Sequence, residues 1–290
     1  MAVLGIDIGG TKIAAGIVDS EARVLETAVV PTRAAEGFAM SYAQLQAAIE
    51  ATMRDDVTAI GICSPGPINP KTGVVINPPN LPGWVNIPLA ERISCTYGLP
   101  CRVENDANAA GLAEARFGAA RGYSTVFYVT VSTGIGSGII LDGKIHHGKS
   151  GQAGEGGHVT IDYRSESVCG CGVPGCIEAL ASGTAIARRA GMSAEEVGRA
   201  AAQGNARAIA ILDETALMLS AWLGSAINML DPDIIVIGGG VAQIGEPLFS
   251  RLRRIVPTRS INQFAAETPI VPAALGANSG ILGAAATVFA

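Results

Sequence analysis

The densest cluster of reactive side chains is His158 followed by Cys169, Cys171 and Cys176, the three thiols lying within the run CGCGVPGC. One imidazole and three thiolates complete a tetrahedral shell for zinc, and the glycines with Pro174 supply a short knuckle that wraps an ion. A shell with no open position makes the metal structural rather than catalytic. An iron–sulfur cluster is disfavoured, because its fourth thiolate would have to come from distant Cys63, Cys95 or Cys101. Two carboxylates bracket the knuckle, Glu155 three residues before His158 and Glu178 two residues after Cys176. Acids held by a rigid metal knot suit a polyhydroxylated ligand, since carboxylates accept hydroxyl protons in charge-assisted hydrogen bonds. For Glu178 alone, the first turn of a helix is an equally good account, because the helix dipole favours an acid there.

Asn105-Asp106 is the candidate catalytic pair. A carboxylate at a helix N-terminus stays ionised beside the dipole and amide donors, and can accept a hydroxyl proton as a phosphoryl group is transferred. The same position suits N-capping, and Asp106 is expected to cap the helix that runs on to about Phe117; the two roles are compatible. Asp7 lies between Ile6 and Ile8 in an apolar run, where a bare carboxylate would cost several kcal/mol. Beside a phosphate loop its natural partner is hydrated magnesium, although satisfying turn amides would serve as well. Three turns follow apolar runs: Gly9 to Lys12, Ser132 to Gly136 and Gly238 to Gly240. Glycine lets backbone amides approach an anion and hydroxyls add donors, so together these turns would cradle a nucleotide's phosphates. None fits the P-loop pattern, and Gly5 to Gly10 lacks the following helix that a dinucleotide fingerprint requires.

The elements that must position these groups are legible from periodicity. Val3 to Ile8 and Ile13 to Val18 read as a hairpin, and a shift of 123 residues lays Ile6 to Asp19 over Val129 to Asp142, so the chain reads as two related halves. Tyr42 to Met53 reads as helix, Ala59 to Cys63 as strand, and the Pro/Gly/Asn-rich stretch from Ser64 to Trp84 as a binding loop. Residues 101 to 104 form a short strand ahead of Asp106. The longest helix is expected from Ala206 to Leu230, with a core stripe of Ile209, Leu212, Ala216, Leu219, Leu223, Ile227 and Leu230. DIIVIGGGVA then reads as a buried strand running into glycines and a helix.

With 290 residues the chain has room for about two domains. Its 20 Lys+Arg against 25 Asp+Glu leave a net charge of −5, no surplus for binding nucleic acid. Hydrophobic residues reach 49% and charged ones only 16%, which excludes disorder. The N-terminal MAVLGIDIGG does not read as a secretory signal, and prolines and glycines interrupt the uncharged stretch 268–290. A buried C-terminal helix, no membrane association and a cytoplasmic location are therefore expected.

The runs GIDIGGTK, ENDANAA, TVSTGIGSGI, GEGGH, CGCGVPGCIEALASG and DIIVIGGG together resemble the ROK family of bacterial sugar kinases, over nearly the whole chain. The resemblance implies an α/β actin-like ATPase fold, two ribonuclease-H-like domains around a central cleft, and ATP-dependent phosphorylation of a hexose or N-acetylhexosamine. The expected division is 1–106 plus 276–290 as a small domain and 107–275 as a larger one carrying the zinc element. Position by position, the resemblance makes Asp106 the general base. It makes Gly66, Asn80, Asn105, Asp106 itself, Glu155, His158 and Glu178 sugar contacts, with His158 also on zinc. Gly9, Gly10, Thr11, Lys12, Thr133, Gly134 and Gly239 fall at nucleotide-binding positions and Asp7 at the magnesium-associated one. The 6-hydroxyl of glucose is the favoured acceptor, with N-acetylmannosamine and N-acetylglucosamine as alternatives. Because the phosphate hairpin begins at residue 3, no DNA-binding winged helix is expected ahead of it. A non-catalytic sugar-responsive regulator and a cluster-bearing activator ATPase are the readings from other classes. A homodimer or higher homo-oligomer is the family expectation.

Overall fold

The first apolar run forms β1 (Ala2–Ile8), which turns at its glycines into β2 (Lys12–Asp19) and β3 (Val24–Pro31) in the computed structural model, which describes residues 2–289. The chain continues through α1 (Phe38–Thr52), β4 (Val57–Ser64), the short strands β5 (Ile68–Asn69), β6 (Val74–Val75) and β7 (Ile87–Pro88), α2 (Leu89–Tyr97), β8 (Cys101–Asn105) and α3 (Asp106–Phe117). Next come β9 (Thr125–Val131), β10 (Ile135–Leu141), β11 (Lys144–Ile145), α4 (Ile177–Ala181), α5 (Gly183–Ala190) and α6 (Ala194–Ala202). The chain ends with α7 (Ala206–Leu230), β12 (Ile234–Gly238), α8 (Glu246–Ile255), β13 (Ile270–Pro272) and α9 (Ser279–Ala286).

Two compact units result, one from Met1–Gly118, Ile145–Ala153 and Leu275–Ala290, the other from Ala119–Lys144 and Gly154–Ala274. The first holds a sheet ordered β3-β2-β1-β4-β8, the second one ordered β11-β10-β9-β12-β13. In each, an antiparallel hairpin leads into two further strands that run parallel to its first strand. The same order built twice is the ribonuclease-H-like topology of the actin-like ATPase fold, and it accounts for the internal repeat. The repeat slips by one residue at the turns. Val131 stands where Ile8 does, 123 residues on, but Ile135 stands where Ile13 does, 122 residues on. The first turn therefore carries one more residue, closing through Gly9 N–H to Lys12 O, whereas the second closes through Ser132 N–H to Gly134 O.

The division departs from the sequence-based expectation at three points. Helix α3 stays with the first unit because its small face, with Ala109, Ala110 and Ala113, packs on α9 around Gly283. Segment 145–153 also returns to the first unit. With these pieces transferred, the two units are of nearly equal size rather than small and large.

The first core is aliphatic, with Leu4, Ile6, Ile8, Ile13, Ile17, Ile60 and Ile62 fully buried beneath Leu45 and Ile49 of α1. On the opposite face, α9 lies directly against the sheet where β1 and β4 carry Gly5 and Gly61. A Cβ on Gly61 would sit 1.9 Å from Ala284 O, and one on Gly5 2.2 Å from Ile281 O, both backbone atoms that cannot rotate away. Gly61→Ala should therefore destabilise the protein by about 1–3 kcal/mol, read as a thermal midpoint lower by roughly 5 °C. In the second unit α7 is the core helix. Leu212, Ala216, Leu219, Leu223 and Ile227 of the expected stripe are buried, and Ile209 and Leu230 are half-buried at its ends. Among the described residues α7 is also the one helix long and apolar enough to cross a bilayer, and its apolar face packs instead under the second sheet.

Candidate active site

In the first unit, chemistry collects at the C-terminal ends of the parallel strands β1, β4 and β8, where open α/β sheets place their ligands. The register pairs Asp7 with Cys63, Cys63 with Glu104, and Ser64 with Asn105. The Cys63 thiol donates to Asp7 Oδ1 at 3.4 Å. Burial pushes the Asp7 carboxyl upward, and the Cys63 contact and the Lys12 charge pull it back. Burial, with the Asp7 and Asp106 carboxylates nearby, also drives the Cys63 thiol well up. An acid so placed is most comfortable beside a cation, which fits a magnesium-associated role.

The turn after β1 is braced by Thr32, whose hydroxyl donates to Gly9 O at 2.6 Å, and it presents Gly10, Thr11 and Lys12 to solvent. Asn80 lies against this turn, its carbonyl 3.1 Å from where a Gly10 Cβ would be. The loop that carries Gly66 and Asn80 is anchored by β5–β7 and by Trp84, which is fully buried with its Nε1–H on Ser41 Oγ at 2.7 Å.

Asn105, not Asp106, caps α3. Its Oδ1 accepts the Ala107 and Asn108 N–H groups at 2.9 and 3.2 Å. Strand β8 extends one residue further than expected, so the extended residue that can cap is Asn105, and Asp106 becomes the first helical residue. Asp106 is exposed, with Oδ1 held by the Ala107 N–H at 2.8 Å. The dipole argument for an ionised acid survives this shift of one position.

In the second unit two glycine turns meet. Gly238 pairs with Thr130, and Gly239 follows with φ 87° directly over Val131 O. The Ser132–Gly134 turn is pinned from behind, since Ser132 O accepts the Gly183 N–H and Thr133 O the Thr184 hydroxyl, each at 2.7 Å. Glu178, in the first turn of α4, accepts the Ile135 N–H through Oε2 at 2.9 Å and faces the Cys169 thiol through Oε1 at 3.3 Å. Its carboxylate sits so close to the turn that a Cβ on Gly134 would meet Oε2 at 2.4 Å. One side chain thus spans the turn and the cysteine knuckle.

The four knuckle residues come together, with one ligand atom each from His158, Cys169, Cys171 and Cys176 all within 4.8 Å of one another. Cys171 and Cys176 sulfurs are 3.8 Å apart, and Cys169 sulfur is 3.5 Å from His158 Nδ1. A zinc tetrahedron with bonds of about 2.3 Å to sulfur and 2.0 Å to nitrogen has edges of about 3.8 and 3.5 Å, so these residues fit the ion. Burial pushes the Cys169 thiol up to about 12 and the Cys176 thiol upward, whereas the Val173 amide pulls Cys171 down. With Nδ1 turned to the sulfurs, His158 Nε2 faces Glu155 Oε2 at 4.0 Å and is available to a ligand hydroxyl.

Two residues of this architecture escaped the sequence reading. Glu104, 5% exposed, supports the Asn105-Asp106 corner, and His147 donates to it. An acid inside the otherwise ordinary strand CRVEN was the available signal for Glu104. For His147 there was none.

The model of the ROK family matches residues 3–290. A glucokinase from Thermotoga maritima is 33% identical, the alignment covering 99% of this chain and 96% of that protein. An N-acetylmannosamine kinase from Citrobacter koseri is 35% identical, covering 98% of each chain. Among solved structures, a ROK family glucokinase from Streptomyces griseus in complex with glucose and AMPPNP superposes with a TM-score of 0.84 at 33% identity, covering 98% of each chain.

Proposed function

The chain belongs to the ROK family, and on that premise we propose that it is an ATP-dependent hexokinase-type phosphotransferase, with Asp106 as the base that takes the proton of the accepting sugar hydroxyl. The observation that carries this assignment is Asp106 itself, exposed at the start of α3 with one oxygen fixed by the Ala107 N–H. An exposed carboxylate oriented at a helix start can take a hydroxyl proton, which is what in-line phosphoryl transfer asks of a base. Asn80, Asn105, Glu155, His158 and Glu178, with the backbone at Gly66, are assigned to the sugar. Gly9 to Lys12, Thr133, Gly134 and Gly239 are assigned to the nucleotide, whose phosphates backbone amides of these turns would receive. Asp7 would hold magnesium, which when bound neutralises charge on the phosphates. His158, Cys169, Cys171 and Cys176 would hold zinc as a structural ion. A cytoplasmic setting and a homodimer belong to the same reading.

Glucose is the substrate we favour, on the strength of the full-length similarity to glucokinases. N-acetylmannosamine is the second reading, favoured by the 35% identity to a kinase for that sugar. A coupled ADP-release assay over glucose, mannose, N-acetylglucosamine and N-acetylmannosamine decides between them. We expect glucose to give a kcat/KM at least about tenfold above the others, the discrimination a shaped pocket provides against an added group. A higher value for N-acetylmannosamine would select the second reading, and no sugar-stimulated ADP release at all would remove the kinase assignment.

A further inference from the structure

Glu104 stands immediately before the catalytic pair and is nearly buried, yet nothing in phosphoryl transfer calls for it. Its Oε1 accepts the Asn105 N–H at 2.9 Å and Asn108 Nδ2 at 3.1 Å, so one oxygen clamps the capping residue to the first turn of α3. Its Oε2 meets His147 Nε2 at 2.6 Å. His147 arrives on segment 145–153, which leaves the second unit's sheet and joins the first unit. That segment is tied down beside the small sheet, with Gln152 Nε2 on Ile68 O and Lys71 Nζ on Lys149 O, each at 3.4 Å. The imidazole is therefore delivered to Glu104 by a braced loop.

We propose that His147 is a positioning residue for phosphoryl transfer, its Nε2–H holding Glu104 so that the corner bearing Asn105 and Asp106 keeps its geometry. The inference rests on the assignment of Asp106 as base. Without its donor, a carboxylate oxygen in this buried position is left unsatisfied, and the side chain must turn toward water. Turning releases the Asn105 amide and loosens the residue next to Asp106. Misplacement of a reacting group by about 1 Å costs up to roughly 100-fold in rate.

The charged groups acting on His147 are Glu104 from β8 and Lys71 from the β5–β6 turn; His146 and Lys149 are the other titratable residues of its own segment. The Glu104 hydrogen bond raises the His147 pKa above its ordinary value, with burial and the Lys71 charge opposing it. A raised value means that the charge-assisted bond is complete at low pH and is lost as pH rises through the shifted value. The neutral ring keeps a weaker Nε2–H bond, so the loss is graded rather than total.

The test compares His147→Ala, His147→Gln and Asp106→Asn with the unaltered enzyme, reading kcat, both KM values and thermal midpoint from pH 6 to 9 with glucose and ATP. His147→Ala should lower kcat by about tenfold or more with both KM values changed less than about threefold. His147→Gln, which keeps a neutral N–H donor, should return kcat to within about threefold and show no alkaline decline attributable to this position. A His147→Ala enzyme with unaltered kcat and pH profile overturns the proposal, as does failure of His147→Gln to rescue. If His147→Ala does not fold, the glutamine variant and its pH profile carry the test alone. Inactive Asp106→Asn beside normal His147→Ala sinks only the His147 proposal. An active Asp106→Asn sinks the base assignment and this inference with it.

Discussion

Asp106→Asn should lower kcat by about 10²- to 10⁴-fold, the contribution of a positioned general base, while the dissociation constant for glucose changes less than about threefold. The substitution leaves the helix cap in place. The cap of α3 belongs to Asn105, whose Oδ1 takes the Ala107 and Asn108 amides, so the helix start survives. An asparagine amide oxygen can still accept the Ala107 N–H that now reaches Asp106 Oδ1 at 2.8 Å, so the side chain keeps its orientation. What disappears is the negative charge and the capacity to take a proton. Steady-state ADP release gives kcat, and calorimetric titration with glucose gives binding without turnover. A variant turning over within about threefold of the parent would remove Asp106 from the chemistry, because no correctly placed base contributes so little. Had Asp106 been the cap, loss of helix stability would have been confounded with loss of the base.

The ease with which some parts of this site could be read, and the difficulty of others, follows from sequence distance. The metal knuckle is local: three thiols and their glycines occupy one short run, and only His158 comes from outside it. The glycine turns are likewise local, each following an apolar strand, and all three occur at strand ends in the structure. The cap was misplaced by one residue because Asn and Asp cap equally well and the end of β8 alone decides between them. The repeat was legible in the strands and slipped in the turns, where a single extra residue changes no hydrophobic pattern. His147 and Glu104, 43 positions apart, meet only because segment 145–153 rejoins the first unit, which no periodicity encodes. Gly5 and Gly61 were unreadable for a similar reason, since the helix that forbids them a side chain lies at the far end of the chain.

Glu178 shows how a ligand assignment and a structural duty can share one side chain. Its oxygens are already engaged by the Ile135 amide and the Cys169 thiol, and a sugar hydroxyl would be a donor added to a carboxylate with lone pairs to spare. The turn that is assigned to phosphates and the knuckle that is assigned to zinc are thereby fastened to each other within one unit. Damage to either should be felt in the other.

Removal of the metal should consequently impair nucleotide use as well as sugar use. Cys176 is the ligand to replace: it is fully buried, it precedes α4 as its N-cap, and Glu178 lies two residues beyond it. In Cys176→Ser the remaining thiols and His158 no longer close a four-coordinate shell, and zinc content measured by atomic emission should fall from about one equivalent to nearly none. The knuckle then loses its cross-link, and the Cys169 thiol becomes a proton-bearing group with a pKa pushed to about 12 that donates to Glu178 Oε1, so the Glu178 carboxylate is held by a loop no longer fixed by an ion. Loss of an outer support of this kind typically costs about 10- to 100-fold, so KM for ATP and KM for glucose should both rise, with kcat/KM for each falling by about 10- to 100-fold. The thermal midpoint should drop by roughly 5–10 °C, since the ion's binding energy is folding energy for the segment it closes. Chelation of the unaltered protein should reproduce the kinetic change, and added zinc should reverse it there but not in Cys176→Ser. A metal-free protein with both KM values and its midpoint unchanged would show that the four side chains gather without an ion to hold. A rise in KM for glucose alone would show that Glu178 does not carry the disturbance to the Ser132–Gly134 turn.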